Sequence, residues 1–142
     1  YTAGQMQEMM NLHGFRPEGP VVILGSGDLG LIMAKHLFEA AVPVAAIIEQ
    51  KEACGGMARN RQFLPESGIE VLCGCTVSQV RGYSRLKEVV LSDATVIPCK
   101  TLLIAAGLML CSAASGYCLL AGAIILIGLG NGFFESCTRK KF

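Results

Sequence analysis

The sequence predicts an α/β fold: a parallel sheet covered by helices, with an antiparallel three-stranded β-meander as its later crossover. Three observations predict it. The apolar run Val21-Val22-Ile23-Leu24 passes directly into Gly25-Ser26-Gly27-Asp28-Leu29-Gly30 and then into an amphipathic stretch, residues 31–41. A second apolar run, residues 44–48, ends in the acid Glu49. Further on, short segments of alternating polarity are joined by turn residues and lead into a last apolar run. Continuous apolar strands alternating with helical periodicity indicate a parallel sheet, and closely spaced alternating segments indicate hairpins.

The elements follow in order. Met6, Met9, Met10 and Leu12 recur at near-helical spacing and predict a short helix over 5–12, the methionine stripe serving core packing. Residues 17–20 form a loop between two prolines, and 21–24 form the first buried strand. Leu29, Ile32, Met33, Leu37 and Ala40 or Ala41 repeat every three to four residues, giving a helix over 28–41 that Pro43 separates from a strand over 44–49. Gly55-Gly56 is expected as a flexible loop, with a helix over 57–66 that Ser67-Gly68 ends. A third strand covers 69–72. The meander comprises 76–81, 86–92 and 95–98, joined by Gly82-Tyr83-Ser84 and Asp93-Ala94. A strand over 101–106 closes on Gly107. The expected organisation is one domain over 1–108, followed by an apolar segment over 109–142.

The glycine turn carries the chemistry. Gly25 lets the chain turn sharply after the strand, Gly27 lets a pyrophosphate reach the main chain, and Gly30 lets the helix pack close to the sheet. The helix N-terminus adds unpaired N–H groups and the positive end of its dipole. Glu49 stands 19 positions after Gly30, near the roughly 20 expected of a carboxylate that accepts ribose hydroxyls. Such an acid repels a 2′-phosphate, which favours NAD over NADP; Lys51, Arg59 and Arg61 downstream could meet that phosphate instead. The competing readings are a ligand-free strand-to-helix turn and, for Glu49, a solvated strand end. Asp28 fits a first-turn acid or cap better than a catalytic group.

Composition narrows the classes. The 142 residues carry a net charge of +1, which gives no electrostatic footprint for nucleic acid. Seven cysteines, an odd number, include C-x-C at Cys73 and Cys75 but no C-x-x-C, and no histidine is near that pair. Disulfides and zinc are therefore disfavoured, and small buried apolar thiols in a reducing, cytoplasmic compartment are expected. Cys73 and Cys75 are expected on one side of a strand, packing in the core, with a redox pair as the alternative. The chain opens at Tyr1 on a polar stretch without a signal-peptide apolar region, which suggests an excised domain or processed product.

Residues 21–35 and the closing Thr101-Leu-Leu-Ile-Ala-Ala-Gly107 resemble the NAD(P)-binding, Rossmann-like domain of the FAD-dependent pyridine-nucleotide oxidoreductases, relatives of disulfide reductases and NADH oxidases. Tyr1-Thr2-Ala3-Gly4-Gln5 is similar to the segment by which that family enters this domain from its FAD domain, and the likeness covers about 1–108. The resemblance implies that nicotinamide lies against a flavin and exchanges hydride with it. Gly25, Ser26, Gly27, Asp28 and Leu29 would line the pyrophosphate, Glu49 would meet the adenosine ribose, and Gly107 would lie beside the cofactor. It also implies a FAD domain of the same parent protein as partner, with FAD not bound by this chain. Three departures stand out. Ile32 occupies the position where many disulfide reductases carry a glutamate, and the redox dithiol and any FAD fingerprint are absent. The nearer likeness is therefore to oxidoreductases without an active disulfide, such as those related to amino-acid or opine-type oxidases, and the chain alone is expected to bind NAD without full turnover.

The remainder fits this pattern less well. No charged residue occurs over 101–134, a run of 34, and Arg139-Lys140-Lys141 follow near the end. Such a run could cross a bilayer. Glycines at 116, 122, 128, 130 and 132 interrupt it, favouring a buried strand over 123–127 and a turn over 128–132. Exposed, the segment would promote self-association into a homo-oligomer. Two other functions compete with the NAD module: a non-enzymatic NAD-sensing domain attached through this tail, and a short-chain-type dehydrogenase. Against the latter, Tyr83 and Lys87 have the Tyr-x-x-x-Lys spacing but fall in the meander, not on a helix.

Overall fold

The computed structural model describes residues 1–105. Helix α1 (Ala3–His13) begins with Thr2, whose hydroxyl accepts the Gln5 N–H while the Gln5 side chain accepts the Thr2 N–H. This reciprocal pair satisfies two helix-end donors. Gly14, in the left-handed region at φ 62°, ends the helix. Met6 is fully buried and Met10 packs partly against the core, as the methionine stripe implied, whereas Leu12 points to solvent.

Strand β1 (Val21–Leu24), helix α2 (Asp28–Glu39) and strand β2 (Val44–Glu49) form the expected parallel unit. The helix stops two residues short of the expected end. Pro43 disfavours helical backbone at Val42, and Ala41 takes φ 57° as Val42 N–H closes onto Leu37 C=O at 2.9 Å. The single helix expected over 57–66 is two short ones, α3 (Ala58–Arg61) and α4 (Leu64–Ser67). Pro65 explains the break: it lacks the N–H a continuous helix would use, and its ring would strike the Arg61 carbonyl. Strand β3 (Val71–Cys73) lies slightly later than expected, and the meander consists of β4 (Val77–Arg81), β5 (Glu88–Leu91) and β6 (Val96–Pro98). Strand β7 (Thr101–Ile104) follows. Gly107 and the expectations for residues 109–142 lie outside the described residues.

The parallel sheet has the order β3-β2-β1-β7, and the meander forms a separate antiparallel sheet, β4-β5-β6. Ile23 pairs with Ile47 and Leu103, and Leu24 pairs with Ile48 and Ile104. The alternation of β1 explains why its sequence is apolar throughout. Val21 and Ile23 join a cluster with Met6, Leu31, Met33 and Leu37 from α1 and α2. Val22 joins a second cluster with Ile48, Val89, Leu91, Cys75 and Cys99 beneath the meander. The two clusters cover the two faces of the sheet, and each fully buried aliphatic side chain contributes about 1.5–3 kcal/mol. Among the described residues, no helix is long and apolar enough to cross a membrane.

Candidate functional site

The three glycines of the turn after β1 have separate physical reasons. Gly25 sits at φ 107°, and its N–H donates to Ile48 C=O at 2.8 Å, tying the start of the turn to β2. A Cβ on Gly30 would collide with the Gly25 carbonyl oxygen and stand 3.3 Å from Ala105 Cβ. The helix is thus drawn against the turn and the strand end by the missing side chain. Gly27 differs from both. Its backbone is extended, at φ −64° and ψ 174°, and a Cβ there would meet no heavy atom within 4 Å. Nothing in the described protein requires a glycine at that position. It caps α2 without a side-chain hydrogen bond, leaving first-turn N–H groups without intrahelical partners.

Ser26 and Glu49 form the buried support of the turn. Glu49 Oε2 accepts both the Ser26 N–H at 2.9 Å and the Ser26 hydroxyl at 2.5 Å, and Oε1 accepts the Lys51 N–H at 3.0 Å. Ser26 is fully buried and Glu49 is 5% exposed, which overturns the solvated strand end. Burial alone would push the Glu49 carboxyl up. The Ser26 hydroxyl, the Lys51 and Ser26 N–H groups and the Lys51 charge outweigh it and hold the carboxyl below its ordinary range. A lowered folded pKa stabilises the fold fully above the unfolded value, and that contribution is lost as pH falls through the folded value. Glu49→Gln should therefore cost on the order of 1–3 kcal/mol at neutral pH. The difference from wild type in denaturant unfolding should shrink as pH falls below about 4.5. A constant difference would show that the charge does not carry the effect.

The segment after β2 folds over the turn. Ser26 Oγ accepts the Gly55 N–H at 2.7 Å, and Asp28 Oδ1 accepts the Met57 N–H and an Asn60 amide hydrogen, each at 2.7 Å. These bonds hold the Asp28 carboxyl below its usual range. The Gly55-Gly56 loop is thus tied at both sides. Gly56, at φ 66°, passes so near that a Cβ would press on Leu31 Cδ1 at 2.6 Å. With its carboxylate engaged, Asp28 keeps a backbone N–H that has no intrahelical partner in the first turn of α2. Leu29 is 43% exposed beside it. Sequence reasoning missed the bridging role of Ser26 and the contributions of Gly55, Met57 and Asn60; the Gly-Gly pair was the one visible signal. Lys51, Arg59 and Arg61 are exposed, and none is in an ion pair among the described residues.

Among the described cysteines, Cys75 and Cys99 are buried as expected, and Cys73 departs from expectation. Gly74, at φ 74°, turns the chain after β3, so Cys73 is exposed while Cys75 is buried beneath the meander. They do not share a face. Burial raises the Cys75 thiol, and partial desolvation together with nearby Cys54, Glu49 and Glu52 raises that of Cys73, which disfavours a reactive thiolate. Among the described residues no group of three or more His, Cys, Asp or Glu side chains could hold a metal. Tyr83 and Lys87 occupy the β4–β5 turn region and not a helix.

Comparison with known proteins agrees with the fold. A search of curated proteins found no match. Among solved structures, the chain is similar to a ferredoxin reductase from Rhodopseudomonas palustris, with 22% identity over 78% of this chain and a TM-score of 0.56. It is also similar to thioredoxin reductase from T. acidophilum, with 21% identity over 60% and a TM-score of 0.55. The atypical thioredoxin reductase of Desulfovibrio vulgaris Hildenborough matches at 24% identity over 64%, with a TM-score of 0.56. At these identities the likeness shows the fold. The chain spans 29% to 30% of the length of those three proteins. The family model of the pyridine nucleotide-disulphide oxidoreductases matches residues 6–115, and the chain belongs to that family.

Proposed function

We propose that this chain is the NAD(H)-binding module of a FAD-dependent oxidoreductase and positions nicotinamide for hydride transfer with flavin. The observation that carries this reading is the open space at Gly27, a glycine that no neighbouring protein atom demands, at the N-terminus of a twelve-residue helix. The N–H groups of that first turn would receive the pyrophosphate. Gly25 and Gly30 shape the turn, and Ser26 and Glu49 hold it. Glu49 Oε1 accepts one hydrogen bond, so a lone pair remains on that atom for a ribose hydroxyl. The bound nucleotide would supply the hydride chemistry, and this chain would supply position and charge. A FAD domain of the same parent protein would be its partner.

Isothermal titration of the purified chain with NADH and with NADPH tests the reading. Saturable binding in the micromolar range or weaker, tighter for NADH, is expected. Preference for NADPH would move the adenosine-side role to Lys51, Arg59 or Arg61, and no binding by the folded chain would overturn the proposal. Arg59→Ala and Arg61→Ala should leave NADH affinity within about twofold, since NADH carries no 2′-phosphate for an exposed cation to meet and salt screens exposed charges. A tenfold loss in either variant would place that arginine on the nucleotide.

A further inference from the structure

A second concave site lies at the other end of the parallel sheet. The glycine turn follows the C-terminal end of β1. The second site is bounded by Thr101, the first residue of β7, and by the segment that enters β1. Lys100 N–H donates to Pro20 C=O at 2.9 Å, and the Thr101 hydroxyl donates to Glu18 C=O at 2.7 Å, fixing that end of the two strands. Four-residue strands separate the two sites by roughly 13 Å of sheet. The cleft has a volume of about 670 Å³, within the range of roughly 300–1,000 Å³ typical of small-molecule sites.

Its walls combine cations with aromatic rings. Arg16, Arg85, Lys87 and Lys100 line it, and Glu18 is the one carboxylate among the lining residues. Glu18 engages Arg85 at 3.2 Å and Lys100 at 2.5 Å, and the Lys100 hydrogen bond and charge hold its carboxyl below the usual range. Arg16 and Lys87 are in no ion pair among the described residues. A chain of net charge +1 thus gathers three cations in excess of carboxylates around one cleft, brought from segments far apart in sequence. Tyr1 and Phe15 complete the wall, with ring centroids 6.2 Å apart and planes inclined by 53°.

We propose that this cleft binds a small organic polyanion bearing a flat ring, a nucleoside polyphosphate by class. Arg16 and Lys87 would meet phosphate oxygens, for which a guanidinium provides a planar fork and an ammonium a point charge. Glu18 holds Arg85 and Lys100 on its two carboxylate oxygens. The Phe15 and Tyr1 rings offer an apolar face to the base, which separates this ligand from a simple inorganic anion.

The test is an amide NMR titration of the full chain with ADP, and in parallel with inorganic tripolyphosphate, at 0.15 M salt. The Gly27→Val variant is titrated as well, because it blocks the glycine turn and leaves the cleft intact. Saturable shifts around Arg16, Arg85, Lys87 and Lys100 that persist in Gly27→Val are expected. Arg16→Ala and Lys87→Ala should each weaken them about tenfold without altering shifts near the glycine turn. ADP should bind more tightly than tripolyphosphate. Shifts confined to the glycine turn and absent in Gly27→Val would overturn the proposal and leave the NAD reading standing. Cleft shifts with tripolyphosphate equal to or stronger than those with ADP would overturn the ring-bearing ligand.

Discussion

Gly27→Val should abolish NADH binding while leaving the chain folded. A pyrophosphate that hydrogen-bonds the first turn of α2 must bring its oxygens within about 3 Å of backbone nitrogen. The branched side chain would occupy that approach, and a loss of at least about 100-fold, or about 2.8 kcal/mol, is expected. Stability should change little. The backbone at Gly27 is ordinary extended chain, and a Cβ there has no neighbour within 4 Å. A valine at the cap is a poorer helix start than glycine, but it also restricts the unfolded chain, and the two effects oppose each other at about 1 kcal/mol or less. Titration calorimetry and a thermal melt on the same sample read both quantities. Wild-type affinity in the folded variant would remove Gly27 from the site.

Gly30→Ala should do the reverse, damaging the fold first. The added methyl would fall onto the Gly25 carbonyl oxygen and crowd Ala105 Cβ, so α2 must move outward from the sheet end. Neither obstacle can swing aside, because one is backbone and the other is itself only a methyl. Overpacking of this kind costs about 1–3 kcal/mol. The gain from placing alanine in a helix, about 0.5–1 kcal/mol, offsets only part of it. A melting temperature lower by roughly 5 °C is expected, with NADH binding weakened because the turn is redrawn. An unchanged melt would show that the turn accommodates a methyl without cost. The pair of variants separates the glycine that serves the ligand from the glycine that serves packing.

The glycine spacing and the apolar runs made the core of the fold legible. Val21–Leu24, the first turn of α2 and Val44–Glu49 occupy the places their patterns imply, because strand burial and helical periodicity are written residue by residue. The errors fall where a single residue redirects the chain. Pro65 splits the helix after β2, Ala41 ends α2 early, and Gly74 turns Cys75 away from Cys73. Each depends on one backbone angle or one missing donor, which a periodic pattern does not register.

By itself the sequence determined the order of most strands and helices, the family likeness carried by the glycine turn, and the packing demands on Gly25 and Gly30. Those are local properties of chain geometry. Only the tertiary structure decided that Glu49 is buried against Ser26, that Gly55, Met57 and Asn60 close over the turn, and that Arg16, Arg85, Lys87 and Lys100 share one cleft. Ser26 and Glu49 lie 23 positions apart, and Arg16 and Lys100 lie 84 apart. The order β3-β2-β1-β7 and the meander beneath it bring them together, and pairing between strands distant in sequence leaves no trace in the spacing of either one.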